Sequence, residues 1–290
     1  MEVGALTGLR RRWLGLLALL LVTLGVWTAA AVARADNYVS LGDSYVAGPF
    51  IPNPTLPLGC LKSDHNYPHL AAGGIGLPLR DPSCSGATTD DMTQPQDVDP
   101  DGPNPPQFNS LDASTTVVSL TIGGNDIGFS SIAEDCVTYN PFSHPCKDKY
   151  DSGGVDQISQ RIQATAPKVA AVLQGIHQLA PSARVLIVGY PDGLPVNGTG
   201  CWPLVPLSPG DIKYFNSLEE MLNSVISQEA ASNQATYVDT FTSSIGHDAC
   251  KPPGTAWVNG IVPTSAAFPL HPNQMGEANM AKQVLAALAG

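Results

Sequence analysis

Short apolar runs, each closed by a glycine or a tight turn and most of them followed by a helical pattern, constrain this chain more than any other feature. Asn37–Leu41 reads as a strand feeding Gly42, and Thr116–Ile122 as a near-continuous apolar strand feeding Gly123-Gly124. Arg184–Gly189 reads as a third strand, ending at Tyr190-Pro191, and Thr236–Val238 as a fourth. A run apolar at nearly every position is expected where both faces of a sheet are buried. Asn66–Ala72 reads as a short helix. Val155, Ile158, Ile162, Val169, Val172, Ile176 and Leu179 recur at three- and four-residue steps, apart from a gap at Ala166. This spacing predicts one amphipathic helix over about Val155–Leu179, bent at Pro167. Pro209–Ala231 reads as a helix capped by Ser208, and Gln274–Leu288 as the last helix. Strands alternating with helices imply an α/β fold, with a parallel sheet covered by helices. Active sites of such sheets lie at the carboxyl ends of the strands. Ser44 and Asn125 both follow such ends and can share one crevice.

The two ends of the chain differ in kind. Residues 1–35 read as an export leader, with basic Arg10-Arg11-Arg12, an uncharged apolar run from Trp13 to Ala33, and a small-x-small site at Ala33-Arg34-Ala35. The expected product is a single domain over 36–290, exported by general secretion to the cell envelope or beyond. The alternatives are a twin-arginine route and an uncleaved anchor, since the apolar run is long enough to span a bilayer. Loss of the leader removes four Arg and one Glu, taking the net charge from −11 to −14. So acidic a chain is a poor partner for nucleic acid or anionic membranes, and a monomer is expected.

All six cysteines, Cys60, Cys84, Cys136, Cys146, Cys201 and Cys250, follow the leader. An even count in an exported chain reads as disulfides, and no Cys-x-x-Cys spacing suggests zinc. Sequence allows about 15 pairings. Sequential pairing is the simplest, because each pair then brackets one loop region. The histidines show no metal spacing.

Ser44 on a strand-to-turn junction, the amide of Asn125 on the next junction, and His271 just before the last helix are the parts of a serine hydrolase. A hydroxyl needs a base to become a nucleophile, and the intermediate needs donors aimed at its oxyanion. Gly42-Asp43-Ser44, Cys84-Ser85-Gly86-Ala87-Thr88, Gly123-Gly124-Asn125-Asp126 and His271-Pro272-Asn273 stand in the order of four sequence blocks. In these blocks the chain resembles the SGNH (GDSL-type) hydrolases across nearly its whole length after the leader. The resemblance implies a three-layer α/β/α sandwich around a mostly parallel, five-stranded sheet of flavodoxin-like order. It implies Ser44 as nucleophile and His271 as base. The oxyanion hole is then formed by the Ser44 and Gly86 backbone N–H groups and the Asn125 side chain. Asp43 is expected to bond within its own turn and is assigned no chemistry.

The family commonly places Asp three residues before the histidine, where this chain has Phe268. Some secreted members use a main-chain carbonyl instead, so the Phe268 C=O is expected to accept from His271 Nδ1, with Asp239 and Asp248 as rivals. Tyr45, Phe50, Leu56 and Leu58 follow the nucleophile and are candidates for an acyl pocket. The expected activity is hydrolysis of carboxylic esters, of acyl lipids or similar, through an acyl-serine intermediate that needs no metal or organic cofactor. The alternatives are an acyltransferase using the same intermediate and a non-catalytic cell-surface module on the same fold.

Overall fold

The computed structural model describes residues 36–290, so the expected leader over 1–35 lies outside the described residues. The strands are β1 (Asn37–Gly42), β2 (Leu79–Arg80), β3 (Thr115–Thr121), β4 (Asp151–Ser152), β5 (Val155–Asp156), β6 (Arg184–Val188) and β7 (Thr236–Val238). The helices are α1 (Ser44–Ala47), α2 (Tyr67–Ile75), α3 (Phe129–Asp135), α4 (Pro145–Tyr150), α5 (Gln157–Leu179), α6 (Pro209–Ser232), α7 (Phe241–Ser244) and α8 (Gln274–Ala289). Five strands form one sheet in the order β2-β1-β3-β6-β7, and every pairing in it is parallel. Counted along this sheet alone, the order is 2-1-3-4-5, the flavodoxin-like order. β4 and β5 pair separately as a small antiparallel hairpin.

Alternation along the strands builds the three layers. Val39, Leu41, Val118, Leu120, Val185 and Ile187 join the core under α5 and α6. Tyr38, Leu186, Val188 and Val238 face the other way, against α2 and α8. This second face carries buried hydroxyls at its centre. Ser119 Oγ lies 2.6 Å from Tyr38 Oη and 2.8 Å from Ser40 Oγ, so these polar atoms satisfy one another inside the core.

Asp156 accepts from the Ile158 and Ser159 N–H groups and starts α5 at Gln157, so Val155 belongs to the hairpin and not to the helix the spacing predicts. Ser208 caps α6 through the Asp211 N–H, as expected. The cysteines pair as Cys60–Cys84, Cys136–Cys146 and Cys201–Cys250. No helix among the described residues is long and apolar enough to cross a membrane.

Candidate active site

β1 and β3 are neighbours with Gly42 opposite Thr121, so Ser44 and Asn125 leave adjacent carboxyl ends. β1 is flanked by β2 on one side and β3 on the other, and the crevice opens where the strand order reverses. Gly42 sits at φ 138, and a Cβ there would lie 2.3 Å from the Thr121 carbonyl oxygen. Only glycine lets β1 turn this close to β3. Gln107 holds the same turn: its side chain accepts from the Gly42 N–H at 2.7 Å and donates to the Gly42 C=O at 2.9 Å. Asp43 then caps α1 by accepting from the Tyr45 N–H at 2.9 Å, which places Ser44 on the first turn.

His271 arrives from the loop before α8. Asn273 caps that helix by accepting from the Met275 and Gly276 N–H groups, and its amide donates to the Ala256 carbonyl, which anchors the segment two residues past the imidazole. His271 Nε2 lies 2.7 Å from Ser44 Oγ, and Nδ1 lies 2.9 Å from the Pro269 carbonyl oxygen. A carbonyl can only accept, so Nδ1 carries the proton and Nε2 is free to accept from Ser44.

The orienting group is therefore the Pro269 carbonyl and not that of Phe268. The Phe268 C=O accepts the His271 backbone N–H at 3.2 Å, closing a turn in which Leu270 takes φ 59. With that oxygen used by the turn, the next carbonyl faces the imidazole. The two rival carboxylates are engaged elsewhere. Asp239 accepts from the Thr242 N–H; Asp248 accepts from the Cys250 N–H and pairs with Lys251. Burial pushes the His271 imidazole from its ordinary 6.5 down to about 4, opposed in part by the Pro269 carbonyl.

Residues 84–87 lie between the Ser44 turn and Asn125. The Cys84 N–H donates to the Gly42 C=O at 3.1 Å, and the Asn125 side chain donates to the Ala87 C=O at 2.9 Å. Gly86 takes φ 83 within this link. Among the described residues no protein acceptor takes the N–H of Ser44 or of Gly86, and Asn125 uses one of its two amide hydrogens. Three N–H donors of these residues are thus left without a protein acceptor.

Tyr190, which no sequence motif marks, also belongs to the site. Its hydroxyl donates to the Asp43 carboxylate at 2.6 Å and accepts from the Gly124 N–H at 2.8 Å, tying the serine turn to the asparagine turn. Burial raises Asp43 to about 7. The available signal was position: Tyr190 stands just beyond β6, the strand beside β3. Tyr45 packs edge-on to Tyr190 and donates to the Leu270 carbonyl at 2.8 Å.

From Ser44 a cavity of about 250 Å³ opens, walled by Phe129, Ala133, Val137, Leu222, Ile261 and Phe268. Of the four acyl-pocket candidates, only Tyr45 lines it. Phe50 packs at a tilt against Phe268 with ring centres 5.3 Å apart, while Leu56 and Leu58 are exposed away from the lining. Glu219 of α6 also reaches the wall, and burial raises its carboxyl to about 8.

A family model described as "GDSL-like Lipase/Acylhydrolase family" matches residues 40–278. The chain belongs to this family. Lipase 2 of Streptomyces coelicolor is 37% identical over 266 residues, covering 88% of each chain, and Lipase 1 of the same organism is 31% identical over 252 residues, covering 86% of this chain and 85% of the relative. The fold is similar to that of phospholipase A1 from Streptomyces albidoflavus, with a TM-score of 0.72 and 29% identity over 89% of this chain and 99% of that one. The protein is a carboxylic-ester hydrolase with an SGNH hydrolase fold.

Proposed function

We propose that Ser44 and His271 act as a catalytic dyad on acyl-lipid esters, in a protein exported through its leader. The chain of contacts from Ser44 Oγ to His271 Nε2 and from Nδ1 to the Pro269 carbonyl carries this reading. Nε2 takes the Ser44 proton as Oγ attacks the ester carbonyl. The carbonyl oxygen becomes an oxyanion facing the Ser44 and Gly86 N–H groups and the Asn125 amide. Collapse breaks the bond to the leaving alcohol, which takes the proton from His271 and leaves an acyl-serine. Water then repeats the sequence, with His271 as base, and frees the acid. The Pro269 carbonyl keeps the imidazole in the working tautomer without adding charge.

The apolar wall of Phe129, Leu222 and Phe268 suits an acyl chain better than a sugar. Three disulfides and the leader support export, and the structural relative from Streptomyces rimosus is described as an extracellular lipase. The test uses p-nitrophenyl esters of graded chain length with a serine-directed organophosphonate. Ser44 should carry the adduct, and Ser44→Ala should abolish turnover with an unchanged melting profile. Substantial turnover by a folded Ser44→Ala protein would refute the dyad.

A further inference from the structure

Four segments run past the cavity: 44–61, 137–146, 193–210 and 252–276. None contains Asp, Glu, Lys or Arg, although the chain has 14 Lys and Arg and 25 Asp and Glu. They interlock around the mouth. The Phe268 N–H donates to the Pro49 carbonyl at 2.9 Å, beside the tilted Phe50–Phe268 ring pair. The Trp202 indole N–H donates to the Thr138 carbonyl at 3.0 Å, and the Thr138 N–H to that of Pro206 at 2.8 Å. A Cβ on Gly260 would meet Val205 at 3.4 Å and the Leu204 carbonyl at 3.8 Å. Val137, Ile261 and Phe268 line the cavity itself. Just outside them, Tyr139 is 92% exposed, Leu204 66%, Val262 64% and Phe50 58%, and Trp202 is partly exposed.

We infer that this ring is a docking surface for an electroneutral lipid–water interface, which presses the mouth of the site onto the aggregate that holds its substrate. The inference rests on the acyl-lipid reading above. Clustered exposed apolar side chains mark contact surfaces. Three observations select a neutral lipid surface as the occupant. The ring is continuous with the lining of the site, so whatever covers it also meets the mouth. Its four segments carry no Asp, Glu, Lys or Arg that would have to be desolvated on insertion, and the exposed Glu134 of the cavity lining lies on α3 outside them. The chain as a whole is acidic, so an anionic surface is repelled. Trp202 and Tyr139 bring the amphipathic rings favoured at such boundaries. The Cys136–Cys146 and Cys201–Cys250 bridges pin two of the segments, so the ring is built before docking.

The test uses Ser44→Ala protein, which leaves the lipid intact, with phosphatidylcholine vesicles and with vesicles containing half phosphatidylglycerol. Binding is read by flotation and by the tryptophan emission shift. The protein should bind the zwitterionic vesicles and bind the anionic ones more weakly. Adding Leu204→Asp and Val262→Asp together should weaken vesicle binding by about tenfold or more. In the Ser44 background the same pair should leave turnover of soluble p-nitrophenyl butyrate within about twofold, with the melting profile kept. Failure to bind zwitterionic vesicles, tighter binding to anionic ones, or full binding by the double variant would overturn the inference. Concentration-dependent dimerisation in light scattering, abolished by the same pair, would assign the ring to a second copy and also overturn it. Failure of the dyad reading would show separately, as soluble-ester turnover that survives Ser44→Ala.

Discussion

At the residue scale, the base of the proposed dyad works without a carboxylate. Burial disfavours the imidazolium, and the Pro269 carbonyl restores only part of the loss, so His271 protonates near 4. Only the neutral ring can accept the Ser44 proton, so activity is lost as pH falls through that value. The acid limb of kcat/KM is expected near pH 4, with substantial turnover left at pH 5; a pH–rate profile on an acid-stable ester checks it. An acid limb at or above 6.5 would mean that an acidic group stabilises the imidazolium. Asn125→Ala removes one of the three proposed oxyanion donors and should lower kcat by about 10²–10³, with KM little changed. An effect confined to KM would make Asn125 a binding group only. The meeting of Ser44, Asn125 and His271 in one cavity was legible in the sequence because each sits in a short motif at an element boundary. Pro269 was not. Which carbonyl faces a ring depends on Leu270 adopting a positive φ, a conformation that leucine gives no sign of.

At the element scale, long apolar runs and long helices could be read from their periods. β2 and the β4–β5 hairpin could not, since two-residue strands have no period to detect. Val155 kept the helical spacing by chance of position, and the Asp156 cap overruled it. Gln107 was equally silent, because a glutamine in a loop is usually solvated, and its role appears only when the fold brings it to Gly42 across a sequence separation of 65. Gln107→Ala would leave the Gly42 N–H buried without a partner, at about 1–3 kcal/mol, while the Gly42 carbonyl keeps the Cys84 N–H. Urea unfolding should show that loss, and kcat should fall with it because Ser44 lies two residues on. A variant that unfolds as the wild type does would show that the turn is held by the strands alone.

At the scale of the whole molecule, composition gives an acidic protein but not which acids are buried. Asp43 and Asp192 are raised to about 7, Glu219 to about 8, and Glu277 well above its ordinary value, in each case chiefly by burial. A carboxyl raised by folding holds its proton in the native state over a range where the unfolded chain has lost it. Its contribution is fully present below the unfolded value near 4 and is lost as pH rises through the folded value. His271 works in the opposite sense: between about 4 and 6.5 the unfolded chain binds the extra proton, so acid weakens the fold there. Burial lowers His69 as well, and four raised acids against two lowered histidines predict a melting temperature that falls from pH 5 to pH 8. Glu219 gives a direct check, since it is buried on α6 and accepts from the Gly193 N–H at 3.4 Å, a bond a glutamine carbonyl can keep. Glu219→Gln should melt like the wild type near pH 4.5 and progressively higher as pH rises, by the equivalent of a few kcal/mol at pH 8. The gap should open through the window between 4.5 and 8 and stay constant above it. Parallel melting curves across that window would mean that Glu219 ionises in the folded protein as it does in the unfolded chain, and that the wall of the cavity is far wetter than its lining implies.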